Sequence, residues 1–396
     1  MKQIMDNQFG TRPFNLEIAT TSSCNMACTY CFEGEELQSK QKQQHQNIES
    51  IIQKINSLLH DQRFNFEYDS ICLNFWGGEP TLNYSWNKEL IEKTIENKKV
   101  YYFIYSNGFD YLKLKKHIDL FPEEELHRLR IQISWDGINN GRIDHNDRFT
   151  TDKVLATIKT IALIYPELHL TTKATIQPEE LERLQEIWLR YYDLFQELNK
   201  TKNNVQVTFS PTLNYVDDHS ETDEFLQAIS KQFGIIYKLE EKFHEKYNFH
   251  LFGWFSETLK DARGKRLTNC SAGINMMAVD YDGTMSACHG TLYSNMKKDF
   301  SNHISTNIKD PNQKFLTRFF ESREELKKST EYVADSCINC EATVCYKCPV
   351  VNIEQLNEFK PENFQVRDTR HCNIYKTFGK FDRALIESKS YKHRTI

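Results

Sequence analysis

The chain has 396 residues, of which 39% are hydrophobic and 27% charged, and a formal net charge of −5. That is the composition of a globular protein of two or three domains at roughly 150 residues each, long enough to bury a core without disulfide staples. The charge gives a nucleic-acid partner no electrostatic support, no run approaches the roughly 20 apolar residues of a membrane span, and the first fifteen residues lack the apolar core of a secretory signal.

In chain order, the first half alternates β-like runs with helical patterns. Strands are predicted at Leu16–Ala19, Ile71–Phe75, Val100–Tyr105, Arg130–Ser134, Leu168–Ala174 and Val205–Phe209. Ile48, Ile51, Ile52, Ile55, Leu58 and Leu59 mark one apolar helix face, and Val154, Ile158, Ile161 and Ala162 mark another. Pro178 opens a third helix, where a missing N–H costs little, followed by Leu181, Leu184, Ile187, Trp188 and Tyr191 on one face. Six β/α units in series predict an α/β fold built on a parallel sheet. Six are too few to close an eight-fold barrel, so the expected architecture is an open, TIM-like partial (β/α)6 barrel. Ligands on such sheets sit at the carboxyl ends of the strands. There the sequence places Cys24, Cys28 and Cys31, then Gly77-Gly78-Glu79-Pro80, then Ser106-Asn107-Gly108, then Asp136-Gly137.

Residues 221–248 read as a charged helix bridging to a second unit. From about Arg263 the character changes. Met276–Asp280 and Thr284–Cys288 flank Tyr281-Asp282-Gly283 as a β-hairpin with an Asp-Gly turn. Clustered cysteines follow from Cys337, and a last helix starts near Asn373. The expected division is 1–215 for the partial barrel, 216–262 for the helical bridge and 263–396 for the cysteine-rich unit.

The eleven cysteines are the informative count. Their number is odd, the chain is long and no signal is visible, which points to a reducing cytoplasm and to metal or redox chemistry. All but Cys72 fall in two groups at opposite ends of the chain; Cys72 lies inside a predicted strand and reads as a buried core thiol. Cys24-x3-Cys28-x2-Cys31 offers three thiolates on a short loop, enough for three irons of a 4Fe–4S cubane with the fourth iron open. Structural zinc wants four ligands, and three cysteines give it one too few.

The cysteine loop resembles the cluster loop of the radical S-adenosylmethionine (radical SAM) enzymes, and the later turns match that family in order over roughly residues 14–212. The resemblance implies S-adenosylmethionine bound at the open iron and cleaved by one electron to methionine and a 5′-deoxyadenosyl radical. It implies that Gly77, Gly78, Glu79 and Pro80 hold the methionine amino group and that Ser106 and Asn107 approach the ribose. Ser134 and Asp136 belong to the matching Ser-x-Asp-Gly turn. Arg148 matches the arginine downstream of it, and Lys173 is expected toward the methionine carboxylate. Tyr30 is expected beside the adenine, with plain packing as the alternative.

The second group, Cys270, Cys288, Cys337, Cys340, Cys345, Cys348 and Cys372, resembles the SPASM extension of radical SAM maturases, which carries two auxiliary 4Fe–4S clusters. This chain has C-x2-C-x4-C-x2-C where the family usually has C-x2-C-x5-C-x3-C. The resemblance assigns Cys337, Cys340, Cys345 and Cys372 to the outer cluster and Cys270, Cys288 and Cys348 to the inner one. Zinc knuckles are the competing identity of these pairs.

Enzymes with this extension mostly modify ribosomally made peptides or proteins, by thioether formation, carbon–carbon crosslinking or oxidation. The size resembles the sulfatase-maturing subgroup. In that subgroup an Asp follows the extension's second cysteine as the base; here His289 stands there, and it is the candidate catalytic residue. The expected partners are a peptide or protein substrate, with a leader peptide if one is used, and a reductase, flavodoxin or ferredoxin as electron donor. With the first predicted strand at Leu16, no appended leader-binding domain is expected. The alternatives are a dehydrogenase of a small molecule and a non-catalytic iron–sulfur carrier.

Overall fold

Pro13–Thr21 forms β1, and every second side chain of its first half, Phe14, Leu16 and Ile18, packs into the main apolar core. The computed structural model describes residues 12–31, 47–199, 212–213, 222–254, 275–293, 306–330 and 372–387. After β1 come α1 (Ile48–His60) and α2 (Gln62–Glu67), then β2 (Ser70–Gly77) and α3 (Tyr84–Thr94). The third and fourth units are β3 (Val100–Ser106) with α4 (Tyr111–Ile118), and β4 (Leu129–Ser134) with α5 (Thr151–Ile164). They are followed by β5 (His169–Lys173), β6 (Thr175–Ile176) and α6 (Leu184–Asn199). Next come β7 (Thr212–Leu213) and α7 (Asp223–Tyr247). Then follow β8 (Met276–Val279), β9 (Thr284–Ser286), α8 (His289–Tyr293), β10 (Thr306–Asn307), α9 (Asn312–Thr330) and α10 (Cys372–Glu387).

The helices form where the apolar spacing places them. On α1, Ile48, Ile51, Ile55, Leu58 and Leu59 are all buried, and the Asn47 side chain caps the start by accepting from the Glu49 N–H at 2.9 Å. Each such side chain contributes roughly 1.5–3 kcal/mol by leaving water. Phe14 of β1 meets Phe64, Tyr68 and Phe319 edge-on, so α2 and the late helix α9 share one aromatic cluster beneath the sheet.

The main sheet runs β10-β9-β8-β1-β2-β3-β4-β5. Strands β1 to β5 are mutually parallel, as the alternating pattern predicts, and the sheet is open. Two features depart from the expectation of six consecutive units. First, β8 pairs parallel with β1, Asn15 to Ile18 against Met276 to Val279, so the late hairpin extends the same sheet as β1 to β5. Hydrophobic periodicity marks a strand but names no partner for it. Second, the run predicted as Leu168–Ala174 ends at Lys173, because the Thr175 N–H donates to the Asp136 carboxylate at 2.9 Å instead of continuing the ladder. Residues Thr175–Ile176 pair in a separate two-stranded sheet with Thr212–Leu213. The strand predicted at Val205–Phe209 lies outside the described residues.

The Asp-Gly hairpin forms as expected, with Ala278 opposite Ser286 and Gly283 at φ +89°. The helix α8 that follows lays Leu292 in a small cluster with Ala19, Trp76, Ala278 and Tyr281. Among the described residues no helix is long and apolar enough to cross a membrane.

Candidate active site

Because β1 to β4 are parallel, their carboxyl ends deliver the four motif turns to one edge. The cysteine loop leaves β1 at Thr21 and is stitched down on both flanks. On one flank the Gly78 N–H donates to the Thr21 carbonyl and the Glu79 N–H to the Ser23 carbonyl, both at 2.8 Å. Neither glycine has room for a side chain. A Cβ on Gly77 would stand 2.3 Å from the Thr21 oxygen and one on Gly78 2.3 Å from the Ser23 oxygen. On the other flank the Ala27 N–H donates to the Ile143 carbonyl and the Thr29 N–H to the Gly141 carbonyl, both at 2.9 Å.

Glu79 is 1% exposed and joins two of the motif turns. Its Oε1 accepts from the Thr81 N–H at 3.2 Å, the Thr81 hydroxyl at 2.6 Å and the Ser106 hydroxyl at 3.0 Å. Its Oε2 accepts from the Asn107 N–H at 2.7 Å. All four donors are neutral. Burial pushes this carboxyl above its ordinary range, and the hydrogen bonds only partly offset it. Asn107 then reaches the loop itself, with Nδ2 2.7 Å from Asn25 Oδ1 and 3.7 Å from Cys24 Sγ.

Asp136 is the counterpart on the other flank, also 1% exposed. Its Oδ2 accepts from the Tyr30 hydroxyl, from Arg142 Nε at 3.0 Å and from Asn140 Nδ2 at 3.1 Å. Its Oδ1 accepts from the Thr175 N–H at 2.9 Å and from Arg142 Nη2 at 3.4 Å. The Tyr30 ring therefore lies in a buried polar hub, and burial pushes its hydroxyl well above the ordinary range.

Cys24, Cys28 and Cys31 are all half-buried on this loop. Burial pushes the Cys24 thiol up to about 12, with Glu79, Cys28 and Cys31 adding to the rise against a hydrogen bond at Met26. Burial also raises Cys28. A bound metal supplies the positive charge that keeps such thiols deprotonated. Among the described residues, no three His, Cys, Asp or Glu side chains are set to share a single ion. The three thiols in one braced loop are the donor set of a cubane cluster with one open iron, and the residues fit that group.

The structure joins Gly78, Glu79, Asn107 and Asp136 to the loop directly and Ser106 to it through Glu79, with Gly77 and Pro80 on either side of the Gly78-Glu79 pair and Tyr30 in the loop itself; Ser134 ends β4 opposite Lys173 of β5. The Arg148 side chain is 72% exposed and pairs with Asp144 at 2.7 Å. Lys173 ends β5 with an exposed side chain. The buried arginine of this region is Arg142, which sequence reasoning passed over. Its partner Asp136 is six positions earlier, a spacing that belongs to no helical or strand period. The only local signal is the Asn139-Asn140-Gly141 turn that precedes it.

His289 begins α8, where its backbone N–H and Nδ1 both meet the Glu17 carboxylate, at 3.2 and 2.8 Å. Its ring lies 5.2 Å from that of Trp76, the residue just before the Gly-Gly turn. Cys72 is buried in β2, as expected, with its thiol pushed up to about 12 by burial. Of the second cysteine group, Cys288 is half-buried beside His289 and Cys372 opens α10. Cys270, Cys337, Cys340, Cys345 and Cys348 lie outside the described residues.

Residues 18–186 match the model of the Radical SAM superfamily. No curated protein matches the sequence. Among solved structures, the chain is similar to native anSMEcpe with bound AdoMet and Cp18Cys peptide, at 18% identity and a TM-score of 0.65. It is also similar to native anSMEcpe with bound AdoMet and Kp18Cys peptide, at 19% identity and a TM-score of 0.66. Both alignments cover 94% of this chain and 98% of the other. At that identity the likeness establishes a shared fold.

Proposed function

We propose, from the radical SAM domain at residues 18–186, that this protein binds S-adenosylmethionine at the Cys24–Cys31 loop and uses it to modify a side chain of a ribosomally made peptide or protein. The observation that carries the proposal is the state of Glu79. It is a buried carboxylate beside the cysteine loop, met by neutral donors and raised by burial. A ligand ammonium brought to it gains a charge-assisted hydrogen bond and supplies the missing counter-charge. That is the chemistry of the methionine amino group.

Bound there, a 4Fe–4S cluster on Cys24, Cys28 and Cys31 together with S-adenosylmethionine supplies reductive carbon–sulfur cleavage and a carbon radical that takes a hydrogen atom from the substrate. The protein's own residues position and exclude. Gly77 and Gly78 let the backbone close on the loop, and Ser106 and Asn107 hold Glu79 in place from the next turn. Ser134 stands at the end of β4, beside the Asp136 hub. Lys173 is the candidate cation for the methionine carboxylate, and Arg148 is the candidate cofactor-site arginine downstream of the Ser-x-Asp-Gly turn. His289, its ring held by Glu17, is the candidate proton acceptor on the substrate side. Cys270, Cys288, Cys337, Cys340, Cys345, Cys348 and Cys372 are the candidate ligands of two auxiliary clusters in a SPASM-type extension. A peptide substrate is supported by the fold shared with anSMEcpe, a protein that has been solved with bound peptides.

The test is anaerobic reconstitution followed by reduction with S-adenosylmethionine present. Release of methionine and 5′-deoxyadenosine is expected, and so is a mass change in a candidate peptide co-expressed with the enzyme. Protein that loads iron but neither binds nor cleaves S-adenosylmethionine would overturn the proposal.

A further inference from the structure

We propose that Asn74 is a specificity-determining residue: its amide oxygen, on the inner face of the sheet, accepts a hydrogen bond from a donor at the tip of a long, unbranched substrate side chain. This rests on the reading above that a peptide side chain is modified here.

Side chains alternate across the sheet. On one face of β1 to β5, Leu16, Leu73, Ile104, Ile131 and Leu170 enter the main apolar core. The other face differs in kind. At one level it carries Glu17, Asn74, Phe103, Arg130 and His169, each paired in register with the next. In β3 and β4 every residue of this face is half-buried, whereas the residues between them are buried, so solvent reaches the face there.

Asn74 is 1% exposed, and among the described residues no donor reaches its Oδ1. A relay of amides fixes which atom that is. Asn15 Nδ2 donates to the Asn275 carbonyl at 3.4 Å, which leaves Asn15 Oδ1 to accept from Asn74 Nδ2 at 3.5 Å. A carbonyl only accepts, so neither amide reverses without losing a bond. The oxygen is thus the atom of Asn74 that remains for a ligand. His169 repeats the pattern in the same row, 7% exposed and with Nδ1 unpartnered among the described residues. Buried polar atoms are normally satisfied, and two exceptions in one row mark a surface built for a polar ligand. Glu17, beside Asn74, is already engaged by His289.

Depth selects the ligand. Asn74 lies three positions before Gly77 on β2, about 10 Å below the Gly-Gly turn at the rise of a strand. A hydrogen bond takes up about 3 Å of that distance. The remainder suits an extended side chain of lysine length entering from the motif-turn edge. Its stem would meet rings: Trp76 stands on the same face between Asn74 and the turn, and Phe103 and Tyr105 line the next strand with centroids 4.4 Å apart. Aromatic walls over a polar floor match an apolar stem with a polar tip.

The test is binding of three capped tripeptides, acetyl-glycyl-X-glycinamide with X lysine, ε-hydroxynorleucine or norleucine. Reconstituted holoenzyme with S-adenosylmethionine is titrated anaerobically and followed by ligand-observed NMR. The lysine or the hydroxynorleucine peptide is expected to bind about tenfold more tightly than the norleucine peptide, and the tighter of the two tells a cationic from a neutral donor. Asn74→Leu keeps the shape and loses the acceptor, and is expected to erase the difference; Asn74→Asp is expected to keep it. Asn74→Ala stands in for Asn74→Leu if the latter does not load its cluster. Equal affinity for the three peptides in the unaltered protein, or binding of none, overturns the role of Asn74. So does a preference that survives loss of the amide. Release of 5′-deoxyadenosine on reduction of the same samples reports separately on the proposed function, and its absence overturns both.

Discussion

The two flanks of the cysteine loop are each built on one buried carboxylate, and they treat it in opposite ways. On the Gly-Gly flank Glu79 is surrounded by hydroxyl and backbone donors and carries a raised pKa. On the far flank Asp136 has Arg142 as a paired cation, with Tyr30, Asn140 and the Thr175 N–H completing its shell. A buried charge is costly unless paired. The paired Asp136 is thus finished as structure, whereas Glu79 awaits a cation. The difference separates a brace from the proposed binding site, although both residues come from short acidic glycine turns that look alike in sequence.

The largest effect should come from removing what both flanks hold. Replacing Cys24, Cys28 and Cys31 together by alanine should abolish S-adenosylmethionine cleavage and lower the iron content of reconstituted protein by about 4 per chain. From about 12 irons per chain, if the two auxiliary clusters are present, about 8 should remain. Iron and zinc analysis checks this, and stoichiometric zinc in place of iron would count against the clusters.

The two carboxylates should then part company. Asp136→Ala strands the Arg142 cation in the interior and should cost about 3–5 kcal/mol of stability, read from denaturant unfolding of the apoprotein. Glu79→Gln removes a charge that has no cation and keeps acceptor and donor groups in place, so stability should change little. Its effect should fall on the ligand instead: S-adenosylmethionine affinity weakened by about 1.5–3 kcal/mol in calorimetry, with iron content intact. Equal stability losses in the two variants would erase the distinction drawn between brace and binding site.

The smallest effect is a pH dependence beside Asp136. Burial pushes Glu180 from its usual 4.5 up to about 7, and the nearby Asp136 charge adds to the rise. Folding thus favours the protonated form, and the stability it contributes is complete below 4.5 and is lost as pH climbs from there through about 7. Glu180→Gln should flatten that slope in thermal unfolding followed across the same range. A slope unchanged by the substitution would place its origin elsewhere.

Local chemistry was legible in the residues themselves. The alternation of β-like runs with apolar helix faces identifies β1 to β5 and α1, α5 and α6 because periods of 2 and 3.6 are imposed by the backbone. The Asp282-Gly283 turn is legible for the same local reason, since only a residue without a Cβ takes φ +89° there freely. The cysteine spacing, and the glycine and acidic turns at the strand ends, are likewise short-range signals. Partnership across the chain is of another kind. That β8 would extend β1, that Glu17 would hold His289, and that Arg142 would pair with Asp136 beneath Tyr30 depends on which surfaces meet after folding. The sequence by itself determined the order in which the motif turns leave the sheet, because strand periodicity and turn chemistry are matters of local backbone geometry. Only the tertiary structure decided which of the two buried carboxylates is paired with a cation and which meets neutral donors alone, because charge compensation in a dry interior is settled by contacts that no helical or strand period encodes.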